Sequence, residues 1–125
     1  MKLYHFCSDK HIKSIMRQGL NTGAVVEPTD HGYIMHSGYI WLTKDPDPNN
    51  QSWATQHIVR YNRVAWRLTI EIPHEEENQI FDRECLAKVF PGSGPLFDGW
   101  AGSENWRVFK GMIPRDWITA AERMI

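Results

Sequence analysis

The sequence predicts an α+β domain in which two or three short helices accompany five or six strands. The strongest observation is VAWRLTIEI, at Val64 to Ile72, where apolar and polar side chains alternate with nearly perfect period two. A second is the opening run from Lys2 to Leu20, where a strand pattern gives way to a helical one. A third is GYIWLT, at Gly38 to Thr43, which is rich in aromatic and β-branched residues. The 125 residues are enough for one domain, spanning 1–125, with its own core.

The opening run is the clearest strand–helix unit in the chain. Lys2 to Cys7 alternates in the manner of a short strand. Ser8 is a favourable N-cap, and Gly19 has the usual place of a C-cap. Between them, apolar side chains recur at helical spacing, at Ile12, Ile15 and Met16. We therefore expect a helix of about three turns.

The remaining elements follow from turn formers and shorter patterns. Residues 21–37 contain several turn formers and predict a long loop with a brief strand near Ala24 to Val26. The two prolines of KDPDPNN predict a firm break at 44–50. We expect helices at Gln51 to Tyr61 and at Gln79 to Phe90, followed by a loop at Pro91 to Gly102. The chain should then form a strand at Trp106 to Lys110 and a turn at Gly111 to Pro114. A final strand or short helix is expected at Ile118 to Met124. The apolar faces of these elements predict a core made of Leu3, Ile12, Ile15, Met16, Leu20, Ile40, Leu42, Trp66, Leu68, Ile70, Val108 and Ile113.

Charge and cysteine content exclude several classes of protein. With 14 basic and 15 acidic residues, the chain has no overall attraction to nucleic acid or an anionic membrane. Cys7 and Cys85 lack metal-ligand spacing and predict free thiols in a reducing compartment. No apolar run approaches the roughly 20 residues of a membrane span, and no secretory apolar segment opens the chain. We therefore expect a cytoplasmic protein without a membrane partner.

Sequence-local catalytic motifs are missing. No serine occupies a nucleophile elbow, and no glycine-rich phosphate loop is present. Six histidines are available, but none forms the helical pair of a zinc protease, so we expect no metal site. His5 stands out because it lies within an otherwise apolar strand. It is either a core histidine bonded to a backbone carbonyl or a ligand-binding group that donates to a sugar hydroxyl or phosphate.

Three segments resemble the ADP-ribosyltransferase superfamily, with the DNA-targeting ADP-ribosyltransferase toxins and the tRNA 2′-phosphotransferases as the nearest likeness. LYHFCSDKHIKSIMRQGL resembles their first strand, which carries His or Arg, and the helix after it that ends in Gly-Leu. GYIWLT resembles their second signature, a strand ending in Leu-Thr. VFKGMIPRDWI resembles their closing segment. The order and spacing of the three segments agree with the superfamily over most of the chain.

The resemblance implies a split mixed or antiparallel β-sheet with NAD in the cleft between its halves. It implies a mono-ADP-ribosyltransferase, of a toxin or phage type, that acts on a protein or nucleic acid. In that family the histidine of the first strand hydrogen-bonds the ribose on the nicotinamide side, which here is His5. The other residues expected at NAD are Tyr4, Thr43 and a stacking aromatic residue drawn from Tyr33, Tyr39, Trp41 and Trp53.

The catalytic carboxylate is the point at which this sequence departs from the family pattern. The family usually places a Glu where this chain has Trp106, and the nearest acid is Glu104, two residues earlier. Glu104 either projects into the cleft from the same strand face, as the catalytic partner of His5, or is a surface loop residue.

Two other functions remain open. An RNA 2′-phosphotransferase would use basic residues on an RNA phosphate, for which Arg60, Arg63, Arg67 and Arg107 are available. A non-enzymatic binding module on the same fold would use the tryptophan-rich loops around Trp100 and Trp106.

Overall fold

A six-stranded antiparallel sheet organises the chain, and a separate two-stranded hairpin packs beside it. The computed structural model describes residues 1–55, 62–97 and 100–124. The strands are β1 (Lys2–Cys7), β2 (Ala24–Thr29), β3 (Gly32–Ser37), β4 (Tyr39–Thr43), β5 (Trp66–Glu71), β6 (Ile80–Phe81), β7 (Trp106–Lys110) and β8 (Ile118–Arg123). The helices are α1 (Asp9–Gln18) and α2 (Arg83–Val89). The predicted α+β class with short helices is confirmed.

The strand order of the main sheet is β6-β7-β4-β1-β5-β8, and every described pair is antiparallel. Strand β1 pairs with β5 along its whole length, from Lys2–Glu71 to Cys7–Trp66. By contrast, β1 and β4 share only one registered pair, Tyr4 with Thr43. The sheet is therefore weakly joined at its centre, and the two halves diverge at that point.

One face of the sheet is covered by α1 and is largely aliphatic. Its fully buried side chains include Leu3 of β1 and both Leu68 and Ile70 of β5. The apolar side of α1 packs against them through partly buried residues, Ile12, Ile15 and Met16. Alternation along each strand places these residues on one side, so the period-two pattern is sufficient to identify this core.

The opposite face is aromatic and is covered over β4 and β7 by the hairpin, α2 and the 3₁₀ turn Pro91–Phe97. Its cluster contains Val25, Tyr39, Leu86, Phe90, Phe97 and Val108, with Trp41, Phe81 and Trp106 at its edge. Glu27 anchors the hairpin because its carboxylate accepts hydrogen bonds from Gly92 N at 2.8 Å and from His36 Nε2 at 3.0 Å. His36 also stacks on Phe90 with ring centroids 3.9 Å apart.

Most predicted elements are confirmed, but the described part of the chain forms eight strands where five or six were expected, and a 3₁₀ turn occupies Pro91–Phe97 within the expected loop. Three further segments differ. Residues 24–37 form the hairpin β2–β3 rather than a long loop, because the turn formers Asp30 and Gly32 join two strands instead of interrupting one. The helix expected at Gln79 to Phe90 begins only at Arg83, after the short strand β6 and the N-cap Asp82. The helix expected at Gln51 to Tyr61 is a 3₁₀ turn at Ser52–Thr55, and 56–61 lie outside the described residues.

The predicted core is confirmed in outline but lacked the aromatic face. Leu3, Leu20, Ile40, Leu42, Leu68, Ile70, Val108 and Ile113 are buried, while Ile12, Ile15, Met16 and Trp66 are half-buried. The aromatic cluster was missed because much of it comes from α2 and the 91–97 turn, which have no regular pattern of apolar residues.

Candidate functional site

A cavity of about 620 Å³ opens where β1 and β4 diverge. This volume falls within the usual range for small-molecule sites, about 300–1,000 Å³. The residues around it are mostly aromatic or aliphatic: Tyr4, His5, Phe6, Ala24, Val26, Trp41, Leu42, Thr43, Gln51, Trp53, Arg63, Trp100 and Trp106. The cavity therefore offers large apolar walls with a few polar groups, which is the composition of a site for a planar organic ligand.

Both faces of the sheet contribute to this cavity. Tyr4 and Phe6 lie on the aromatic face of β1, whereas His5 lies between them on the opposite face. In a continuous sheet, β4 would pair with β1 along its length and would separate Tyr4 and Phe6 on one face from His5 on the other. Because β1 and β4 pair only at Tyr4 and Thr43, the gap beyond that pair lets His5 and Leu42 reach the same space.

His5 bridges the gap between the two strands. Its Nδ1 lies 2.9 Å from the carbonyl oxygen of Trp41, so Nδ1 carries a proton and donates it. Burial lowers the pKa of His5 below its ordinary value, and this effect exceeds the opposing effect of the bond to Trp41. The neutral ring therefore presents Nε2 as a hydrogen-bond acceptor. The bond to Trp41 confirms the expected backbone-carbonyl partner of His5, which also lines the cavity. Its ligand-binding role stays a prediction, in which Nε2 accepts a hydrogen bond where we expected a donor.

Four tryptophans form the aromatic walls. Trp41 is fixed by a hydrogen bond from its Nε1 to the carbonyl oxygen of Ala24, 2.9 Å away. Trp106 lies edge-on to Trp41 with ring centroids 5.9 Å apart, and Trp100 lies 6.0 Å from Trp106. The fourth, Trp53, stands on the 3₁₀ turn Ser52–Thr55. This packing holds the rings in place before any ligand arrives, which reduces the entropic cost of binding.

Polar groups at the end of β4 connect it to the following loop. Thr43 is buried, and its hydroxyl oxygen accepts a hydrogen bond from Asp45 N at 3.1 Å. Gln51 is also buried, and its Nε2 donates to the carbonyl oxygens of Asp45 at 3.3 Å and Asp47 at 3.0 Å. Its Oε1 accepts from Trp53 Nε1 at 3.3 Å. These contacts order the loop that supports one wall of the cavity.

Arg63 is the one positively charged side chain among the described lining residues. Its Nη2 donates to the carbonyl oxygen of Trp53 at 3.0 Å, and its guanidinium carbon lies 5.2 Å from the centroid of the Trp53 ring. No aspartate or glutamate belongs to the described lining. The cavity therefore has a neutral to positive character, which favours an anionic or neutral ligand over a free cation.

A second cavity of about 370 Å³ adjoins the first along α1. The two cavities share His5, Phe6, Trp53 and Arg63. The other residues of the second cavity are more polar and include hydroxyl, amide and imidazole groups: Cys7, Ser8, His11, Ser14, Ile15, Gly19, Leu20, Asn21 and Thr22. The first, largely aromatic cavity and the second, more polar cavity thus meet at His5.

The structure brings together Tyr4, His5, Thr43, Trp41 and Trp53, five of the residues predicted to bind a ligand. Tyr4 lines the cavity, and the guanidinium carbon of Arg67 lies over its ring, 5.7 Å from the centroid.

Tyr39 and Tyr33 do not line the cavity. Tyr39 shares a strand face with Trp41, but it lies at the far end of β4 and packs edge-on against Phe90, with centroids 5.4 Å apart. Tyr33 is 76% exposed on β3. Strand alternation predicts the side of the sheet that a residue occupies, but not how far along that side the cavity extends.

Glu104 is exposed and also lies outside the described cavity lining. Of the two positions that the sequence left open, the structure shows the surface one, because β7 begins only at Trp106 and Glu104 belongs to the preceding 3₁₀ turn Ser103–Asn105. The alternation of a strand does not extend into that turn, so the two-residue spacing does not place Glu104 on the face of Trp106.

The arginines considered for an RNA phosphate do not converge. Arg63 lines the cavity, but Arg67 donates to the carbonyl oxygen of Pro46 and to Glu122. Arg107 donates to the backbone oxygens of Glu104 and Trp106. Arg60 lies outside the described residues.

Sequence reasoning missed Gln51 as a cavity residue, although it had noted the loop before it. A buried glutamine leaves no periodic signal, and its partners are backbone oxygens whose positions depend on the fold of the loop. Trp100 and Trp106, expected only for a binding module, also line the cavity.

Metal and membrane features were also sought in the part of the chain that the structure describes. There, no cluster of three or more His, Cys, Asp or Glu side chains is arranged to hold a metal ion. Across the same residues, no helix has the length and apolar character needed to cross a membrane.

Comparison of the sequence with protein-family models gives no matching family, and comparison with curated proteins gives no significant match.

Proposed function

We propose that the chain binds NAD at the junction of β1 and β4 and transfers its ADP-ribose group to a macromolecular acceptor. The observation that carries the proposal is the position of His5, a neutral imidazole with an acceptor nitrogen at the boundary between an aromatic and a polar cavity. A dinucleotide has matching parts, since its planar rings are joined through hydroxyl-rich sugars and phosphates.

The aromatic cavity suits the nicotinamide ring. Trp41 and Trp53 present indole rings of fixed orientation, and stacking on an indole favours planar heterocycles. The positive charge of Arg63 opposes a free cationic ring, but the diphosphate of the same ligand offsets that charge. This balance favours the whole dinucleotide over nicotinamide alone.

His5 suits a ribose hydroxyl rather than a phosphate. Because its Nδ1 proton is committed to the oxygen of Trp41, the neutral ring can only accept at Nε2. A sugar hydroxyl donates a hydrogen bond, whereas a phosphate oxygen at neutral pH does not. His5 therefore orients the sugar, and the hydroxyl-bearing second cavity accommodates the polar portion that follows.

The transfer step breaks the bond between ribose C1′ and the nicotinamide nitrogen. A bond then forms from C1′ to a nucleophilic oxygen or nitrogen of the acceptor, nicotinamide leaves as a neutral molecule, and the acceptor loses a proton. The positive charge that develops on the sugar requires an anionic or dipolar neighbour. Since no acid belongs to the described lining, the NAD phosphates and the Trp41 backbone are the nearest sources of negative potential for this step.

A nucleotide-binding module without catalytic activity is the second candidate. The observation that favours it is the same lack of an acidic side chain in the described lining, together with the exposed position of Glu104. An RNA 2′-phosphotransferase has less support, because Arg63 alone among the described arginines considered for that role reaches the cavity.

The test is NAD binding to the purified chain, followed by measurement of nicotinamide release. At ten times its dissociation constant, a ligand stabilises the folded state by about 1.4 kcal/mol, which raises the melting temperature of a domain of this size by roughly 3–7 °C. We expect His5→Ala to weaken NAD binding about tenfold or more, since it removes both the contact with the sugar and the bond to Trp41.

His74→Ala is the matched control, because that side chain is almost fully exposed and bonds only to Glu77 among the described residues. NAD binding without nicotinamide release would favour the binding module. No stabilisation by millimolar NAD would reject the proposed function.

A further inference from the structure

We propose that Gln51 is a positioning residue that holds the Trp53 ring as a fixed wall of the ligand cavity. The ligand named here is NAD, so this inference rests on the proposed function for its binding measurement. The role of Gln51 follows from three hydrogen bonds made by a single buried amide.

Both N–H donors and the oxygen of the Gln51 amide take part in hydrogen bonds. Only 2% of the residue is exposed, and its two donors reach the carbonyl oxygens of Asp45 and Asp47. Its oxygen accepts from the indole nitrogen of Trp53. A buried amide with all of these bonds has one favourable orientation, because rotation by half a turn would place donor against donor at Trp53.

The partners of Gln51 belong to an ordered loop. Asp47 N donates to Asp45 Oδ1 at 2.9 Å, and Asn50 Nδ2 donates to Asp45 Oδ2 at 2.9 Å. Asp45 N in turn donates to the Thr43 hydroxyl at the end of β4. A continuous set of hydrogen bonds therefore connects the rigid sheet to the indole of Trp53 through Gln51.

Trp53 is also in contact with Arg63, which lies over the face of its ring. The guanidinium of Arg63 lies over the ring, 5.2 Å from its centroid, and also bonds to the Trp53 backbone. Trp53 also lines the cavity, so the position of its ring sets the shape of that wall. Gln51 restricts the rotation of the indole about its side-chain bonds and so keeps the ring in that wall.

The experiment replaces Gln51 by Met, which has similar length but no N–H donor and only a weakly accepting sulfur. An isotope-labelled sample gives one indole N–H resonance for each of the six tryptophans, and Trp53→Phe identifies the resonance of Trp53. We expect Gln51→Met to shift that resonance and to weaken NAD binding about fivefold to tenfold, the effect of losing one hydrogen bond of ordinary net strength.

Asn50→Ala is the matched control. It removes a side-chain bond to Asp45 from the same loop but touches neither Trp53 nor the described cavity. If Gln51 only stabilises the loop, both variants lower the melting temperature, and neither changes NAD affinity or the Trp53 resonance more than the other. That result would overturn the inference.

A double-mutant cycle gives a further measurement, which distinguishes a positioning role of Gln51 from a purely structural one. In the Trp53→Phe background, Gln51→Met should cause no further loss of NAD affinity, because the group through which Gln51 acts is already absent. Equal losses in both backgrounds would overturn the inference. If Gln51→Met does not fold, Gln51→Asn replaces it, since it keeps an amide in the loop but shortens the reach to Trp53 by one carbon. The indole resonance of Trp53 should still shift, and an unshifted resonance would overturn the inference.

Failure of this inference is distinguishable from failure of the proposed function. If the unmodified chain does not bind NAD, the proposed function is lost, and the indole resonance alone decides whether Gln51 orders Trp53. If the chain binds NAD and the resonance does not respond to Gln51→Met, the proposed function stands and the positioning role is lost.

Discussion

The two faces of the sheet are built in different ways. The face under α1 is held by aliphatic side chains whose burial follows strand and helix periodicity, such as Leu68 and Ile70. The opposite face is held by aromatic rings and by a few close polar contacts, such as those of Glu27 with His36 and Gly92. The cavity lies at the boundary of the aromatic face. We expect truncations on the aliphatic face to cost the most stability, because its side chains are fully buried, and changes on the aromatic face to alter mainly the geometry of the cavity.

The largest expected effect is on the aliphatic face. Leu68→Ala removes a fully buried side chain opposite His5 and leaves a cavity among close neighbours. Its expected cost is about 2–5 kcal/mol in the free energy of unfolding, measured by urea denaturation. Met112→Ala is the control, because Met112 is 56% exposed and should change stability by about 0.5 kcal/mol or less. A loss below about 1 kcal/mol for Leu68→Ala would contradict the assignment of stability to this face.

The same contrast explains how much of the fold the sequence predicts. The alternation in β5 and the capped pattern of α1 identify the aliphatic face because burial there depends on one periodic stripe. The hairpin β2–β3 was not predicted as such, since Pro28 and several turn formers weaken its strand signal. Its pairing and its contact with the 91–97 turn are long-range properties that no local pattern contains.

The candidate site shows the same limit at the level of single residues. His5 is identifiable because an imidazole in an apolar strand is unusual, and five of the predicted contact residues do meet at the cavity. Gln51 was not identified, and the place of Glu104 stayed open between cleft and surface, because their positions depend on turn geometry rather than on a repeating pattern. Local sequence therefore indicates which strand contributes to the site, but the surrounding loops decide which side chains reach it.

A smaller effect is expected where the hairpin meets the 91–97 turn. A methyl group on Gly92 would lie 2.3 Å from the carbonyl oxygen of Pro28 and 2.9 Å from Cγ of Glu27. Gly92→Ala therefore forces the hairpin away from the turn, at an expected cost of about 1–3 kcal/mol in thermal or urea unfolding. Ile34→Ala on the exposed surface of the same hairpin is the control. Equal stability of Gly92→Ala and the unmodified chain would show that this contact is looser than the structure indicates.

The polar contact of Glu27 should make the aromatic face sensitive to acid. The hydrogen bond from His36, followed by that from Gly92 N, lowers the pKa of Glu27 below its ordinary value. A carboxylate with a lowered pKa stabilises the folded state above its unfolded-state pKa, and this stabilisation disappears as pH falls through the lowered value. The stability difference between the unmodified chain and Glu27→Gln should therefore be present at neutral pH and shrink as the pH falls through the lowered pKa of Glu27. Urea midpoints measured across that range test this, and a difference that does not change with pH would contradict it.

The smallest effect is expected at Glu104, which belongs to neither packed face. Its side chain is exposed, and only its backbone oxygen takes part in a described hydrogen bond, accepted from Arg107. Glu104→Gln should change the free energy of unfolding by about 0.5 kcal/mol or less and leave NAD affinity unaltered. It should also leave any nicotinamide release within about twofold of the unmodified rate, a barrier change of about 0.4 kcal/mol. A loss of release about a hundredfold or greater, with binding retained, would mean that the turn at 103–105 rearranges to bring this carboxylate to the ligand. The boundary of the aromatic face would then be set by the bound ligand rather than by the packing of the free chain.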